Sequence, residues 1–158
     1  GEAGAFVLLE RFDQAQRRGA AVLAVVGGAS TALEPDHAES ERPCRGVGLT
    51  EAIAQLFAGA PVQGQPSFWL LSDLNGEHAR ASELGHTLSR ASLRVPALGA
   101  AQRWYPAASF GDTGAASAAL ATCLAARAFA RSYAPAPMAV ILSSSDREAR
   151  GALSLIRA

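Results

Sequence analysis

The chain contains no lysine; all 14 of its basic residues are arginine. That excludes Schiff-base catalysis and lysine-ended phosphate-binding loops, which both need a primary amine. Cysteine is scarce. Cys44 and Cys123 show neither a Cys-x-x-Cys pair nor zinc-ligand spacing, so two free thiols in a reducing compartment are expected, with no metal and no cofactor. Long hydrophobic runs are missing. Stretches such as 20–26 and 138–142 fall far short of the roughly 20 residues that cross a bilayer. No basic segment followed by an apolar core opens the chain, so no signal peptide is visible and a cytoplasmic protein is expected. Net charge is missing too, with 14 acidic residues against 14 basic ones. A general nucleic-acid or membrane-surface partner is therefore disfavoured. Methionine occurs once, at Met138, and the chain opens on Gly1-Glu2-Ala3-Gly4, which reads as a fragment or a processed product.

What is present suits a folded domain. The 158 residues are 49% hydrophobic and 18% charged, too apolar for disorder and long enough to bury a core. Residues 5–10 are apolar and partly β-branched and read as a strand, followed by a short helix over 11–18 ended by Gly19. The valine-rich run 20–26 reads as a buried strand closed by Gly27-Gly28. Residues 30–46, with Pro35 and Pro43, read as a loop. Leu49, Ile53, Leu56 and Phe57 share one face of a predicted helix that Thr50 can cap. Residues 68–71 read as a strand, 76–90 as a helix, 93–96 as a short strand, and 113–131 as a long Ala- and Leu-rich buried helix. Strands at 138–143 and 152–156, joined by a polar turn, end the chain as a hairpin. Strands alternating with helices and a β-β finish predict a mostly parallel sheet flanked by helices, with antiparallel pairing at its end.

Three segments have residues suited to chemistry. In Ser72-Asp73-Leu74-Asn75-Gly76-Glu77 a strand ends in a turn carrying two carboxylates and an amide, and the carboxyl ends of parallel strands are where α/β folds place their sites. The same residues equally suit a strand-to-helix turn in which Asp73 or Asn75 caps the helix. In Ser109-Phe110-Gly111-Asp112-Thr113-Gly114, small residues lead into the long helix, with Asp112 or Thr113 as the natural cap; close packing of a buried helix explains them as well as a binding role does. Ser143-Ser144-Ser145-Asp146, with Arg147, Arg150 and Gly151, forms either an anion-binding turn or a solvated one. His37, His78 and His86 pair with no nucleophile, and Cys123 lies within the Ala-rich helix as a core residue.

In order, these segments resemble the C-terminal part of a β-ketoacyl synthase of the thiolase-like superfamily. Residues 1–10 with Arg18-Gly19-Ala20 resemble the family's "GEGA…LE…A..RGA" stretch. Residues 68–77 lie where the family has a strand ending in "HGTGT". Residues 107–118 resemble "KSNIGHTxAAAG", matching at Gly111, Thr113, Ala115 and Ala116. Residues 138–156 resemble the closing β-turn-β. The resemblance implies a thiolase-like α/β fold: a mixed five-stranded sheet with helices on both faces, ending in a β-hairpin. Residues 1–30 would end an N-terminal half, and 31–158 would form the C-terminal half. It also implies acyl thioesters on acyl carrier protein or coenzyme A as substrates, the N-terminal half as a partner, and a homodimer.

In that family a cysteine takes the acyl group, and two histidines assist decarboxylation and stabilise the negative charge that develops. Here Asp73 stands at the first histidine position and Asp112 at the second, Ala107 replaces the lysine, and Ser143-Ser144-Ser145-Asp146 replaces the Gly-Phe-rich turn. The nucleophile would belong to the N-terminal half. Ionised carboxylates repel a forming enolate, so the usual decarboxylating mechanism is not expected. Asp73 and Asp112 are the expected catalytic pair, one protonated with a raised pKa and one ionised. Asn75, Gly111, Thr113 and Ser144 are the expected substrate-contacting residues. A divergent acyl-transferring protein, a non-catalytic ketosynthase-like subunit and an unrelated binding domain are the three readings left open.

Overall fold

A computed structural model describes residues 1–59 and 67–158. Its elements are α1 (Phe12–Arg17), β1 (Ala24–Leu33), α2 (Val47–Ala58), β2 (Phe68–Ser72), α3 (His78–Ala91), α4 (Ala97–Ala100), β3 (Arg103–Trp104), α5 (Ala107–Phe110), a 3₁₀ turn (Gly114–Ala116), α6 (Ser117–Ala130), β4 (Met138–Ser144) and β5 (Ala149–Arg157). Among the described residues, five strands form one sheet in the order β1-β5-β4-β2-β3. β3, β2 and β4 run parallel; β4, β5 and β1 pair antiparallel.

The central strands explain the layering. All five residues of β2 and the first five of β4 are buried, as expected of strands covered on both faces. Successive side chains point to opposite faces. Phe68, Leu70, Met138, Val140 and Leu142 therefore enter one core, with Leu49, Ile53 and Leu56 of α2 and Leu84 of α3. Trp69, Leu71, Ala139 and Ile141 enter the other, with Ala121, Ala125, Ala128 and Phe129 of α6. The alanine face of α6 lets that helix lie close to the sheet.

The expected mixed sheet, helices on both faces and closing hairpin are all present. Local boundaries differ for physical reasons. Residues 5–10 form no strand, and Phe6 and Leu8 are almost fully exposed; an apolar run makes a strand only when a neighbour supplies its hydrogen bonds, and among the described residues none does so. The strand expected at 20–26 begins instead at Ala24 and continues through the glycines to Leu33, because β5 pairs with it throughout; a register shift at Val26/Gly28 absorbs the irregularity. The expected division after residue 30 thus falls within β1. The strand expected at 93–96 is a turn. A two-residue strand at Arg103–Trp104 pairs with Leu70 and Leu71 instead. Thr50 does not cap α2: its Oγ1 donates back to the Gly46 carbonyl at 2.5 Å.

Two glycines fix the approach of α2. Gly46, at φ 65°, begins the helix in a left-handed conformation that other residues adopt at a cost. A Cβ on Gly48 would lie 2.7 Å from the Glu34 backbone nitrogen and 2.8 Å from the Leu33 carbonyl. The helix and β1 touch through backbone there. Gly48→Ala should destabilise the fold by about 1–3 kcal/mol, measured by urea unfolding; an unchanged midpoint would contradict this contact.

Candidate functional site

The turns at the carboxyl ends of β2 and β4 meet around one guanidinium. Asp73 follows β2, and its Oδ2 accepts the Ser144 backbone N–H at 2.6 Å. Arg80, in the first turn of α3, donates Nη1 to the same Asp73 oxygen at 3.3 Å and to the Ser144 carbonyl at 2.8 Å. Its Nη2 reaches Asp146 at 2.8 Å, and its Nε lies 3.4 Å from Glu77. Arg80 therefore ties the end of β2, the start of α3 and the β4–β5 turn together. Forked planar donors suit such multidentate bonding.

The second expected segment reaches the first through an amide. Asn75 Nδ2 donates to Asp112 Oδ2 at 2.8 Å, while Asn75 Oδ1 accepts the Glu77 N–H at 3.0 Å. Asp112 Oδ1 accepts the Gly114 N–H at 2.8 Å, a local side-chain turn just before the 3₁₀ turn; among the described residues, neither that turn nor α6 has a side-chain cap. Gly111 has φ 74° and ends α5. The Thr113 and Ser117 hydroxyls lie 3.1 Å apart. Among the described residues, no hydrogen bond joins Asp73 to Asp112 directly; Asn75 bonds Asp112, and the charge of Arg80 acts on both carboxylates.

The two carboxyls differ in surroundings. Burial pushes the Asp73 carboxyl above its ordinary range, against the pull of the Ser144 N–H and Arg80. Asp112 is held below its ordinary range by the Gly114 N–H and by Asn75. The two surroundings thus shift the carboxyls in opposite directions. Asp73 is nevertheless committed to two donors, which limits its freedom to exchange a proton with a ligand.

A second charged cluster lies on the other side of Arg80. Arg150 and Glu83 form a buried ion pair. Arg150 Nη1 also donates to the carbonyls of Ser145 and Ala149 at 3.0 and 2.9 Å. Glu34, at the end of β1, is fully buried and accepts the Gly48 N–H of α2 through Oε2 at 2.8 Å. Cys44 joins them from the loop before α2, its thiol pushed up chiefly by burial. A cavity of about 20 Å³, room for a single water, is lined by Cys44, Glu83, Arg80, Arg150 and Asp146 among others.

Sequence reasoning identified the turns but missed Arg80, Glu34 and Glu83. Arg80 lies in a run of Ala, Glu and Arg that resembles any solvated helix face. Only the seven-residue step from Asp73, one turn into the next helix, hinted at the pair. Glu34 and Glu83 are 49 positions apart and meet only through the sheet.

Asp73 binds its proton more tightly folded than unfolded. Its contribution to stability therefore falls as pH rises from the ordinary aspartate value through the raised one. Asp112 acts oppositely: its contribution is present above the ordinary value and is lost as pH falls through the lowered one. Asp73→Asn should thus gain on wild type as pH rises from the ordinary aspartate value through the raised one, followed by urea melts; a pH-independent difference would contradict it. Arg80→Ala leaves Asp73 without its cation and should cost about 2 kcal/mol, measured the same way.

No protein-family model matches the chain, and no curated protein matches it. Solved structures do. A chain from a type II polyketide synthase acyl-carrier protein in complex with its ketosynthase bound to the hexaketide matches at TM-score 0.80 and 12% identity, over 94% of this chain and 42% of that one. The ishigamide ketosynthase/chain length factor matches at TM-score 0.74 and 16% identity, over 93% and 41%. An oxazolomycin ketosynthase domain from Streptomyces albus matches at TM-score 0.70 and 14% identity, over 94% and 32%. The chain spans about a third to two fifths of the length of these neighbours. At such identities the likeness concerns architecture alone: the mixed five-stranded sheet with helices on both faces is shared with part of these ketosynthase structures.

Proposed function

We propose that the chain is the C-terminal part of a β-ketoacyl-synthase-like protein that handles acyl thioesters of acyl carrier protein or coenzyme A in the cytoplasm, without standard decarboxylative condensation. The observation that carries this reading is the meeting of the β2 and α6 turns through Asn75 and Asp112, at the strand ends where α/β folds bind ligands. Asp73 and Asp112 occupy the positions that the resemblance assigns to the histidines. Asp73 acts as the acid and Asp112 stays ionised, while Asn75, Gly111, Thr113 and Ser144 bound the substrate. Residues 1–30 pass from an N-terminal half into residues 31–158, with β1 crossing the division.

That N-terminal half, and a second copy of the whole protein, are the proposed partners. Support comes from the opening segment, where Phe6, Leu8 and Leu9 stay exposed; apolar residues in such a row usually mark a surface that another body covers. No helix among the described residues is long and apolar enough to cross a membrane.

The second reading, a non-catalytic ketosynthase-like partner subunit, is favoured by one observation: Asp73 is held by Arg80 and the Ser144 N–H rather than open to a ligand. The two readings separate in acyl-transfer assays of the complete protein. If Asp73 is the acid, wild-type rate falls as pH rises through its raised pKa, and Asp73→Asn abolishes that limb. Wild-type rates in both Asp73→Asn and Asp112→Asn would overturn the catalytic assignment. The 158-residue chain alone should associate with itself or capture the N-terminal half in light scattering; a monodisperse monomer indifferent to that half would overturn the partner assignment.

A further inference from the structure

Glu34, Cys44 and Glu83 come from three separate places in the chain, the end of β1, the loop before α2 and the middle of α3. One potential ligand atom from each lies within 4.8 Å of the other two. A tetrahedral ion with bonds of about 2.0–2.3 Å needs donors roughly 3.5 Å apart, so small side-chain adjustments would bring all three onto one cation.

An acidic cluster alone would mean little, but two further features point to a ligand. Glu34 is completely buried, yet its Oε1 has no hydrogen-bond partner. Leaving a buried carboxylate oxygen unsatisfied is costly. Its other oxygen is fixed by the Gly48 N–H. Glu83 is held in the same way: Arg150 Nε binds its Oε1, and no hydrogen bond among the described residues engages its Oε2. Each carboxylate therefore has one oxygen oriented by the protein and one left over, the arrangement in which neighbouring donors hold metal ligands in place.

Charge balance agrees. With the thiol neutral, two buried carboxylates face the Arg150 guanidinium, leaving one negative charge in excess; Arg80, on the same cavity, is already paired with Asp73 and Asp146. A divalent ion that displaces the Cys44 proton adds two positive charges and one negative, and the cluster becomes neutral. The cavity beside Cys44 and Glu83 has room for one water, which supplies a fourth ligand.

We propose that Glu34, Cys44 and Glu83 form a binding site for a divalent transition-metal ion, best suited to zinc. A thiolate with two carboxylates and a water is a ligand set zinc accepts and magnesium or calcium does not favour. Binding forms a metal–sulfur bond, and the Cys44 proton passes to solvent. The site links the end of β1, the loop before α2 and α3, so it braces one face of the sheet. It is independent of the acyl-thioester reading, and its test does not involve activity.

The test uses the full chain, stripped with chelator and titrated with zinc or cobalt. The expected result is one metal per chain by elemental analysis and, with cobalt, a near-ultraviolet thiolate-to-metal band. Cys44→Ala should abolish the band. Cys44→Ala and Glu34→Gln should each weaken zinc binding by at least about a hundredfold, since even removing a supporting neighbour of a ligand costs about tenfold to a hundredfold. Cys123→Ala should leave binding unchanged. Metal-free circular dichroism of each variant shows whether it has folded, and the wild-type cobalt spectrum needs no variant at all. Absence of a band in wild type, no uptake at micromolar metal, or uptake that survives Cys44→Ala would each overturn the proposal.

Discussion

The parallel pairing of β2 with β4 is the constraint on which the rest depends. Phe68 to Ser72 align with Met138 to Leu142 in register, and all of these residues are buried. Two adjacent strands without a solvent-facing side need helices on both faces, so α2 and α3 cover one side and α6 the other. A parallel pair also needs a long crossover. The residues between β2 and β4 supply it, and they carry α3 and α6 with their turns. The meeting of the polar turns at the carboxyl ends of β2 and β4 follows from this pairing.

That edge is polar where the core is not. At the strand ends, backbone groups leave the ladder and need other partners. Asp73 satisfies the Ser144 N–H, and Arg80 satisfies the Ser144 carbonyl. A carboxylate and a guanidinium therefore close the sheet where another sequence might use small residues and open space. The same interaction that gives Asp73 a defined position also occupies it. This tension separates the two proposed functions: a group fixed this firmly makes a good structural clamp, and it becomes an acid only if substrate can compete for it.

Much of the architecture was legible from the order of apolar runs. Valine- and leucine-rich stretches without polar alternation indicate strands buried on both faces, and 68–72 and 138–144 match that expectation closely. The alanine-rich run before Pro135 likewise indicated a buried helix. Errors occurred where local pattern and long-range pairing disagree. Residues 5–10 look like a strand in isolation but lack a partner, whereas Gly27-Gly28 looks like a stop yet lies within β1 because β5 extends alongside. Arg103–Trp104 is too short for any periodicity to reveal. Within the site, turn residues such as Asp73, Asn75 and Asp112 stood out because their side chains bond locally. Their contacts across the fold did not, since nothing near Asn75 in sequence points to Asp112.

Buried charge shows the same division between local and global information. Glu34 follows a strand and precedes a proline, and sequence alone suggests an exposed loop residue. Its burial comes from the close approach of α2, which depends on Gly48 having no side chain. Once α2 is that near, Glu34 sits against the start of the helix, where backbone N–H groups and the helix dipole favour a negative charge. Glu83 is buried by the packing of α3, and Arg150 is brought to it by the β4–β5 hairpin. Burying these three charges gains little stability by itself, because a desolvated ion pair seldom stabilises more than apolar residues of the same volume. Their position beside a thiol, at the junction of three elements, fits a site that holds something as well as a core that packs.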